Sequence, residues 1–291
     1  MSGKKQNNKT LALIGAGRWG KNIISTLKII PRVKLKYFGN RNWRELFEKE
    51  DLDAVLIATP PATHASIAIP FLERGISVFV EKPMVLSITE AEKLRGIVKK
   101  SGQVFMVGYQ YLYNDYINYL KKEITSGSFG KILEMKSEHF ISPSRPNVDI
   151  FWDAAPHPLS VFQYFFTPQK IVSAEGKIEH DSASVKVKFA DAPKLQIIAS
   201  CLGKVKTRKL TIVGDKATAI LDETLEKNKL AITKNGQTTN PQINFRPPLR
   251  NELEHFIYCI QTGAAPLTNV DFGYRITEWL EEISVLLTNK R

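Results

Sequence analysis

The sequence predicts an α/β protein of two domains. The first is a parallel sheet wound with helices, and the second is an α+β domain with a large open, mostly antiparallel sheet. Over the first hundred residues, short apolar runs alternate with helical patterns. From Lys131 to Leu221 the pattern changes to alternating, β-rich segments at hairpin spacing. The chain of 291 residues with 43% hydrophobic content is long enough for two cores.

The domain boundary is placed where the last buried strand pattern of the first half, Val104 to Gly108, ends. Residues 1–108 then form the first domain and residues 109–291 the second, with a closing amphipathic helix at residues 272–287. The other helices are expected from Gly20 to about Ile30, and at residues 42–49, 67–74, 87–100, 114–125, 161–166 and 252–262.

The charge balance is basic, with 41 Lys and Arg against 29 Asp and Glu and a net charge of +12. The basic residues are dispersed, and no zinc-finger, basic-zipper or RNA-recognition signature is present in the sequence. We therefore interpret them as a solvated surface and expect no nucleic-acid partner, with attraction to an acidic small substrate as the alternative.

Targeting and redox signals are weak. No apolar run approaches the roughly 20 residues of a membrane span, and Met1 to Lys9 is polar and basic, unlike a signal peptide. We expect a cytoplasmic protein without a membrane partner. Cys201 and Cys259 are far apart in apolar contexts, which favours buried free thiols and no metal site.

The first chemical motif lies in the stretch LALIGAGRWGKN, where an apolar run meets glycines in the spacing G-x-G-x-x-G. In such a turn the first glycine permits the backbone conformation and the second admits a pyrophosphate. The third permits close helix–strand packing, and the helix N-terminus offers N–H groups to the phosphates. The motif predicts a dinucleotide-binding turn. The residues assigned to the cofactor here are Gly15, Gly17, Arg18, Trp19 and Gly20.

The next strand, Val33 to Phe38, is where an Asp or Glu about 20 residues beyond the glycines would bind the adenosine ribose. The segment reads KLKYFGNRN and has no carboxylate. Lys34, Lys36 and Arg41 are candidates for a ribose phosphate, and an exposed lysine-bearing strand edge is the alternative. Both NAD and NADP therefore stay open as cofactors.

Two loops follow buried strands, Thr59-Pro60-Pro61-Ala62-Thr63-His64 after Ala54 to Ala58 and Glu81-Lys82-Pro83 after Ser77 to Val80. Residues just past the carboxyl ends of parallel strands line the ligand crevice. We expect His64 to be a helix-start or packing histidine rather than a catalytic one. The loop residues assigned to the cofactor are Thr59, Pro60, His64 and Glu81.

The second chemical motif is WDAAPHPLS, which leads into an apolar helix. Because Pro158 has no N–H group, it belongs in the first helical turn, so His157 lies there as well. The helix dipole disfavours an imidazolium in that turn while Asp153 favours it, and this opposition suits a neutral imidazole acting as a base. A purely structural histidine is the alternative.

Together GAGRWG, ATPPATH and EKP resemble the oxidoreductase family of glucose-fructose oxidoreductase, inositol dehydrogenase and MocA, over most of the chain. The resemblance implies a Rossmann domain, NAD or NADP, and a sugar or nucleotide-sugar substrate. The family pattern D-x-x-x-H-x-x-D falls on Asp153 and His157, with Ser160 in the last place. This variant beside GRWGKN resembles the subgroup that oxidises amino sugars attached to nucleotides. The segment before Ala54 is shorter than in the family and lacks its helix and acidic residue.

The resemblance also implies the roles of the site residues. His157 would take the hydroxyl proton as hydride leaves the same carbon, and Lys82 would hydrogen-bond the oxygen as its charge grows. Asp153 would orient or tune His157. Tyr109 and Gln110 are placed on the floor of the substrate site by position alone, and Lys82 and His157 are expected to meet between the domains.

Assembly is predicted from the second sheet. An open sheet needs cover on both faces, and helices are available for one. We expect the other face to meet a second subunit through apolar side chains, in a homodimer or homotetramer.

Two other functional classes stay open. The missing ribose carboxylate and Ser160 motivate a catalytically silent, dinucleotide-binding regulatory protein of the same fold. The positive net charge motivates a nucleic-acid-associated protein, whose retention on duplex DNA would fall steeply with salt.

Overall fold

The structure is a computed structural model that describes residues 8–39, 42–49, 51–140, 149–168, 170–202 and 205–288. The chain forms two compact units, residues 1–110 with 247–278, and residues 111–246 with 279–291. The first unit therefore takes in the segment Pro247–Glu278, which the division at residue 108 assigned to the second domain. Among the helices of the described residues, none is long and apolar enough to cross a membrane.

The first unit is built on a five-stranded parallel sheet in the order β2-β1-β3-β4-β5. Its strands are β1 (Lys9–Ile14), β2 (Val33–Gly39), β3 (Ala54–Ile57), β4 (Ser77–Glu81) and β5 (Phe105–Gly108). Its first three helices are α1 (Arg18–Leu27), α2 (His64–Leu72) and α3 (Ile88–Ser101). Every residue of β3, β4 and β5 is buried, as expected for strands covered on both faces. The strand order reverses direction at β1 and β3, so a ligand crevice is expected at their carboxyl ends.

Some element ends differ from the sequence prediction. Helix α1 ends at Leu27 rather than near Ile30. Helix α2 begins at His64, not Ile67, because a 3-10 turn over Pro61–Thr63 leads directly into it. In place of an α-helix between β2 and β3, one 3-10 helix, Trp43–Glu48, is present.

The second unit contains an eight-stranded sheet in the order β13-β12-β11-β10-β6-β9-β8-β7. All neighbours are antiparallel except β6 and β9, which confirms the mostly antiparallel prediction. The strands are β6 (Ile132–Phe140), β7 (Ile171–Ile178), β8 (Ser182–Phe189), β9 (Lys194–Ser200), β10 (Thr207–Gly214), β11 (Ala217–Asp222), β12 (Leu230–Lys234) and β13 (Gln237–Thr239). The helices are α4 (Asp115–Thr125), α5 (Ile150–Ala154) and α6 (Pro156–Phe166). Strands β12 and β13 were not predicted.

Side-chain alternation gives this sheet two chemically different faces. On the inward face, Val185, Val187 and Phe189 are buried, and Phe162 of α6 stacks on Phe189 at 4.8 Å between ring centroids. The outward face carries ion pairs, such as the one that joins Lys136 to Glu138 at 3.1 Å. The same face also exposes the apolar side chain of Ile220 on β11, so the expected contact with a second subunit through apolar side chains stays a prediction.

The last two helices are α7 (Pro248–Thr262) and α8 (Val270–Thr288). Helix α7 packs against the parallel sheet, where Phe256 meets Phe79 of β4 with ring centroids 5.7 Å apart. In the same unit, the hydroxyl of Thr268 donates a hydrogen bond of 2.7 Å to the carbonyl of Val107 on β5. These contacts explain why the segment Pro247–Glu278 belongs with the first unit, while α8 from Trp279 onward belongs to the second.

Candidate active site

The glycine turn after β1 confirms the predicted roles of two glycines. Gly15 has a φ of +105°, and a Cβ built on it would lie 2.4 Å from the carbonyl carbon and oxygen of Ala58. A Cβ on Gly20 would lie 1.9 Å from the carbonyl oxygen of Gly15. Both positions are therefore closed to any larger side chain, the first by conformation and backbone contact, the second by contact alone.

Gly17 is different because open space lies in front of it. Its φ is −67°, and a Cβ there would meet no atom within 4 Å among the described residues. Helix α1 begins at the next residue, so its unpaired N–H groups lie beside this space. A cavity of about 440 Å³ opens here, and its lining includes Gly15, Gly17, Trp43, Arg44, Thr59 and Pro60. These features fit a dinucleotide with its pyrophosphate at the turn.

The basic residues near the adenosine side are placed differently from the expectation. Lys36 is engaged with Asp51, with 2.6 Å between Nζ and Oδ2, and Lys34 is exposed. Arg41 lies outside the described residues. Arg44, which the sequence analysis did not select, lines the cavity and lies over the ring of Trp43 at 4.4 Å. Among the described residues, Arg44 is therefore the positively charged side chain best placed to bind a ribose phosphate.

Glu81 and Lys82 lie at the end of β4 and are both buried. The indole Nε1 of Trp19, on α1, donates a hydrogen bond to Oε1 of Glu81. The backbone N–H of Lys82 donates to the other carboxylate oxygen at 3.3 Å. Glu81 thus joins the helix of the glycine turn to the loop that carries Lys82. Arg18, the first residue of that helix, is exposed.

His64 lies fully buried between the two strand-end loops. Its Nδ1 is 3.0 Å from the carbonyl oxygen of Pro83, and its Nε2 is 3.0 Å from that of Thr59. The ring therefore joins the loop after β3 to the loop after β4. This geometry supports the packing interpretation of His64 over a catalytic one.

Glu252 of α7 is the most unusual buried group of the first unit. Its side chain is fully buried, and neither carboxylate oxygen has a hydrogen-bond partner among the described residues. Burial raises the pKa of this carboxyl well above its usual range, and the charge of Glu81 raises it further. The folded protein therefore holds a proton on Glu252 more tightly than the unfolded chain does.

This proton predicts a pH dependence of stability. A carboxyl whose pKa is raised in the folded state makes its full contribution to stability at pH values below its unfolded-state pKa, about 4.3. That contribution is lost as the pH rises toward the folded-state pKa. We expect Glu252→Gln, which cannot ionise, to unfold at a higher temperature than the wild type at pH 8, by about 2–4 °C for each kcal/mol regained.

Thermal unfolding at pH 5 and pH 8 tests this prediction. The gap between variant and wild type should be larger at pH 8 than at pH 5. Glu254→Gln is the matched control, because Glu254 lies on the same helix in a half-exposed ion pair with Arg250. An equal gap at both pH values would show that Glu252 ionises without cost.

His157 lies in the first turn of α6, as predicted from Pro158, since the helix begins at Pro156. Asp153 lies on the preceding helix α5 and is buried, as is His157. The hydroxyl of Ser160 donates a hydrogen bond of 2.8 Å to the carbonyl oxygen of His157. Ser160 therefore braces the backbone of this turn, which is a role that a carboxylate could not fill as a donor.

Two aromatic rings flank the imidazole of His157. The ring of Tyr111 lies 4.6 Å away, and that of His139 is stacked at 5.6 Å between centroids. Tyr109, predicted as substrate-binding, lies instead in the core of the first unit against Phe272, and burial raises the pKa of its hydroxyl. The chain turns through a 3-10 helix, Gln110–Tyr113, where Gln110 is half-buried.

A small cavity adjoins His157 within the second unit, with a volume of about 30 Å³. Its polar lining residues include His139, Arg208 and Glu223, which were not selected from the sequence. One signal was available for the first of them, because His139 falls on the inward-facing positions of β6 with Met135 and Ser137. The others depend on contacts between residues far apart in the chain.

The candidate catalytic residues are divided between the units. Lys82 belongs to the first unit, with the glycine turn, and His157 and Asp153 belong to the second. The contacts given above describe the candidate residues of each unit separately.

Comparison with known proteins supplies the context for these two halves. Residues 31–109 match the family model described as the Gfo/Idh/MocA oxidoreductase family with an NAD-binding Rossmann fold. The chain is 24% identical to scyllo-inositol 2-dehydrogenase (NAD(+)) of Bacillus subtilis, over 96% of this chain and 92% of that protein.

Solved structures share the fold. An inositol dehydrogenase homologue of Azotobacter vinelandii, complexed with NADH and myo-inositol, superposes with a TM-score of 0.86 at 18% identity, covering 99% of this chain and 98% of the other. UDP-N-acetylglucosamine 3-dehydrogenase of Acidithiobacillus ferrooxidans superposes with a TM-score of 0.82 at 21% identity, covering 96% and 97%.

Proposed function

We propose that this chain is an oxidoreductase of the Gfo/Idh/MocA type, an NAD(P)-dependent enzyme that acts on CH–OH groups, because residues 31–109 match that family model and scyllo-inositol 2-dehydrogenase (NAD(+)) aligns over 96% of the chain. It transfers a hydride between a nicotinamide cofactor and a secondary hydroxyl of a sugar or nucleotide sugar. The relatives named for inositol and for UDP-N-acetylglucosamine support this substrate class.

The observation that carries the proposal is the open space at Gly17. Two glycines of the turn are closed by backbone contacts, while the middle one faces a cavity at the start of α1. A turn kept only for packing would not need a glycine with ordinary φ and no neighbour. Close approach of a pyrophosphate supplies that need.

The chemistry divides among three side chains. The nicotinamide, when bound, accepts or donates the hydride. Lys82 donates a hydrogen bond to the substrate oxygen as its negative charge develops, and His157 takes the hydroxyl proton during oxidation. Asp153 tunes the basicity of His157, against the opposing dipole of α6.

We propose that the cofactor site is formed or braced by the residues of the glycine turn and of the two strand-end loops: Gly15, Gly17, Arg18, Trp19, Gly20, Thr59, Pro60, His64 and Glu81.

Assembly is part of the proposal. A homodimer or homotetramer would cover the outward face of the eight-stranded sheet, with apolar side chains such as Ile220 at the centre of the contact. Light scattering that shows a monomer at micromolar concentration would contradict this assembly.

The cofactor experiment is a calorimetric titration with NAD and NADP. The described residues near the turn include Arg44 in the cavity, while Asp51 is paired with Lys36. NADP should therefore bind no worse than about tenfold weaker than NAD, a difference of about 1.4 kcal/mol. Failure of both cofactors to bind would refute the proposed function. Strong preference for NAD would mean that a carboxylate reaches the ribose.

A further inference from the structure

The small cavity beside His157 has an unusual donor. The Nε atom of Arg208 is buried and has no hydrogen-bond partner among the described residues. Arg208 lines the cavity with His157 and is the cross-strand neighbour of His139, whose ring stacks on His157. A buried donor without an acceptor is costly, so this N–H group is placed to receive an acceptor from outside the chain.

The neighbouring carboxylates are already engaged. Glu223 accepts a hydrogen bond of 2.7 Å from the side-chain amide of Asn114 and another from the hydroxyl of Tyr111. Burial raises the pKa of Glu223, against the opposing effect of the positive charge of Arg208. Glu138 pairs with Lys136 at 3.1 Å. None of these acids is bonded to Nε of Arg208.

The size of the cavity limits what Arg208 can receive. A volume of about 30 Å³ holds one small polar group, not a sugar ring. A guanidinium forms its strongest hydrogen bonds with carboxylate and phosphate oxygens. The acceptor is therefore expected to be a charged substituent on a larger ligand.

We propose that Arg208 recognises an oxyanion of the substrate, a carboxylate or a phosphate, attached near the hydroxyl that His157 deprotonates. This inference rests on the proposed function, because it identifies the ligand at Arg208 with the substrate of His157. It makes Arg208 a specificity-determining residue on β10, and it narrows the substrate class to acidic sugars.

Three probes test the inference: D-glucose, D-glucuronate and D-glucose 6-phosphate. They share one ring and differ in the group at one carbon, which is neutral, a carboxylate or a phosphate. Binding is measured by calorimetry with saturating NAD or NADP. The wild type should bind at least one of the two anionic probes about tenfold or more tightly than glucose, and the arm that binds identifies the oxyanion.

The variants are Arg208→Met, Arg208→Gln and Arg208→Lys. The first two should lose the preference for the anionic probe, and Arg208→Lys should regain part of it because the charge is kept. Lys186→Met is the matched control: it removes the same charge from an exposed position of β8 that does not line the cavity. The control should keep the wild-type preference. Thermal unfolding identifies any variant that fails to fold. If either Arg208→Met or Arg208→Gln does not fold, the other one provides the measurement.

Two results would overturn the inference. The first is equal binding of the three probes by the wild type, and the second is a loss of affinity for all three probes by one common factor in Arg208→Met. Turnover of neutral sugars in either case would leave the proposed dehydrogenase function intact. Absence of both cofactor binding and turnover would instead remove the function on which the inference rests.

Discussion

Gly17→Asp is expected to abolish NAD and NADP binding while the protein stays folded. The new carboxylate would occupy the space at the start of α1 and repel the pyrophosphate. Folding should survive because Gly17 has an ordinary φ of −67° and open space where the Cβ would lie. Calorimetric titration measures the loss of cofactor affinity, and circular dichroism with thermal unfolding measures the fold.

Two controls sharpen this experiment. Gly96→Asp introduces the same charge on an exposed position of α3 where a Cβ also meets no atom within 4 Å, and it should bind cofactor normally. Gly20→Ala should instead impair folding, since its Cβ would lie 1.9 Å from the carbonyl oxygen of Gly15. Unchanged cofactor affinity in folded Gly17→Asp would count decisively against the site.

Lys82→Met and His157→Asn should each lower turnover by roughly a hundredfold or more, the usual scale for losing an electrostatic stabiliser or a general base. Both interactions strengthen as charge develops in the transition state, so substrate affinity should change less than turnover. Cofactor binding should survive both changes. Steady-state kinetics on the substrate identified by screening provides the measurement.

The double variant and a neighbouring histidine give the controls. If Lys82 and His157 act as one unit, the double variant should be little worse than the worse single one. His139→Asn removes the ring stacked on His157 and should lower turnover much less. If His157→Asn kept most of the wild-type rate at neutral pH, the base would be a different residue, and His139 or Tyr111 would be the next to test.

The glycine turn and the start of α6 could be predicted because each depends on local chemistry. The spacing of Gly15, Gly17 and Gly20 specifies a backbone path, and Pro158 restricts where a helix can begin. The alternating pattern of residues 131–221 predicted most of the second sheet for the same reason. Strand β12 was not predicted because it is only five residues long, and β13 because its three residues are all polar.

The chemistry that sequence reasoning missed depends on contacts between distant residues. Arg208 and His139 become neighbours only when β10 pairs with β6. Lys36 is a candidate for the ribose phosphate by sequence, but its Nζ is paired with the carboxylate of Asp51. Glu252, on the C-terminal helix α7, interacts with Glu81 at the end of β4. Periodicity predicts which face of a strand is buried, but it does not predict which strands become partners.

The most direct test of the central claim is nicotinamide reduction by the wild-type protein. The protein is mixed with NAD or NADP and a panel of nucleotide-linked amino sugars, free sugars, sugar acids and inositols, and absorbance of the reduced cofactor is followed. We predict reduction with at least one member of the panel, lost in His157→Asn. Cofactor that binds tightly but is reduced by no member of the panel would contradict the account and favour a catalytically silent regulatory protein.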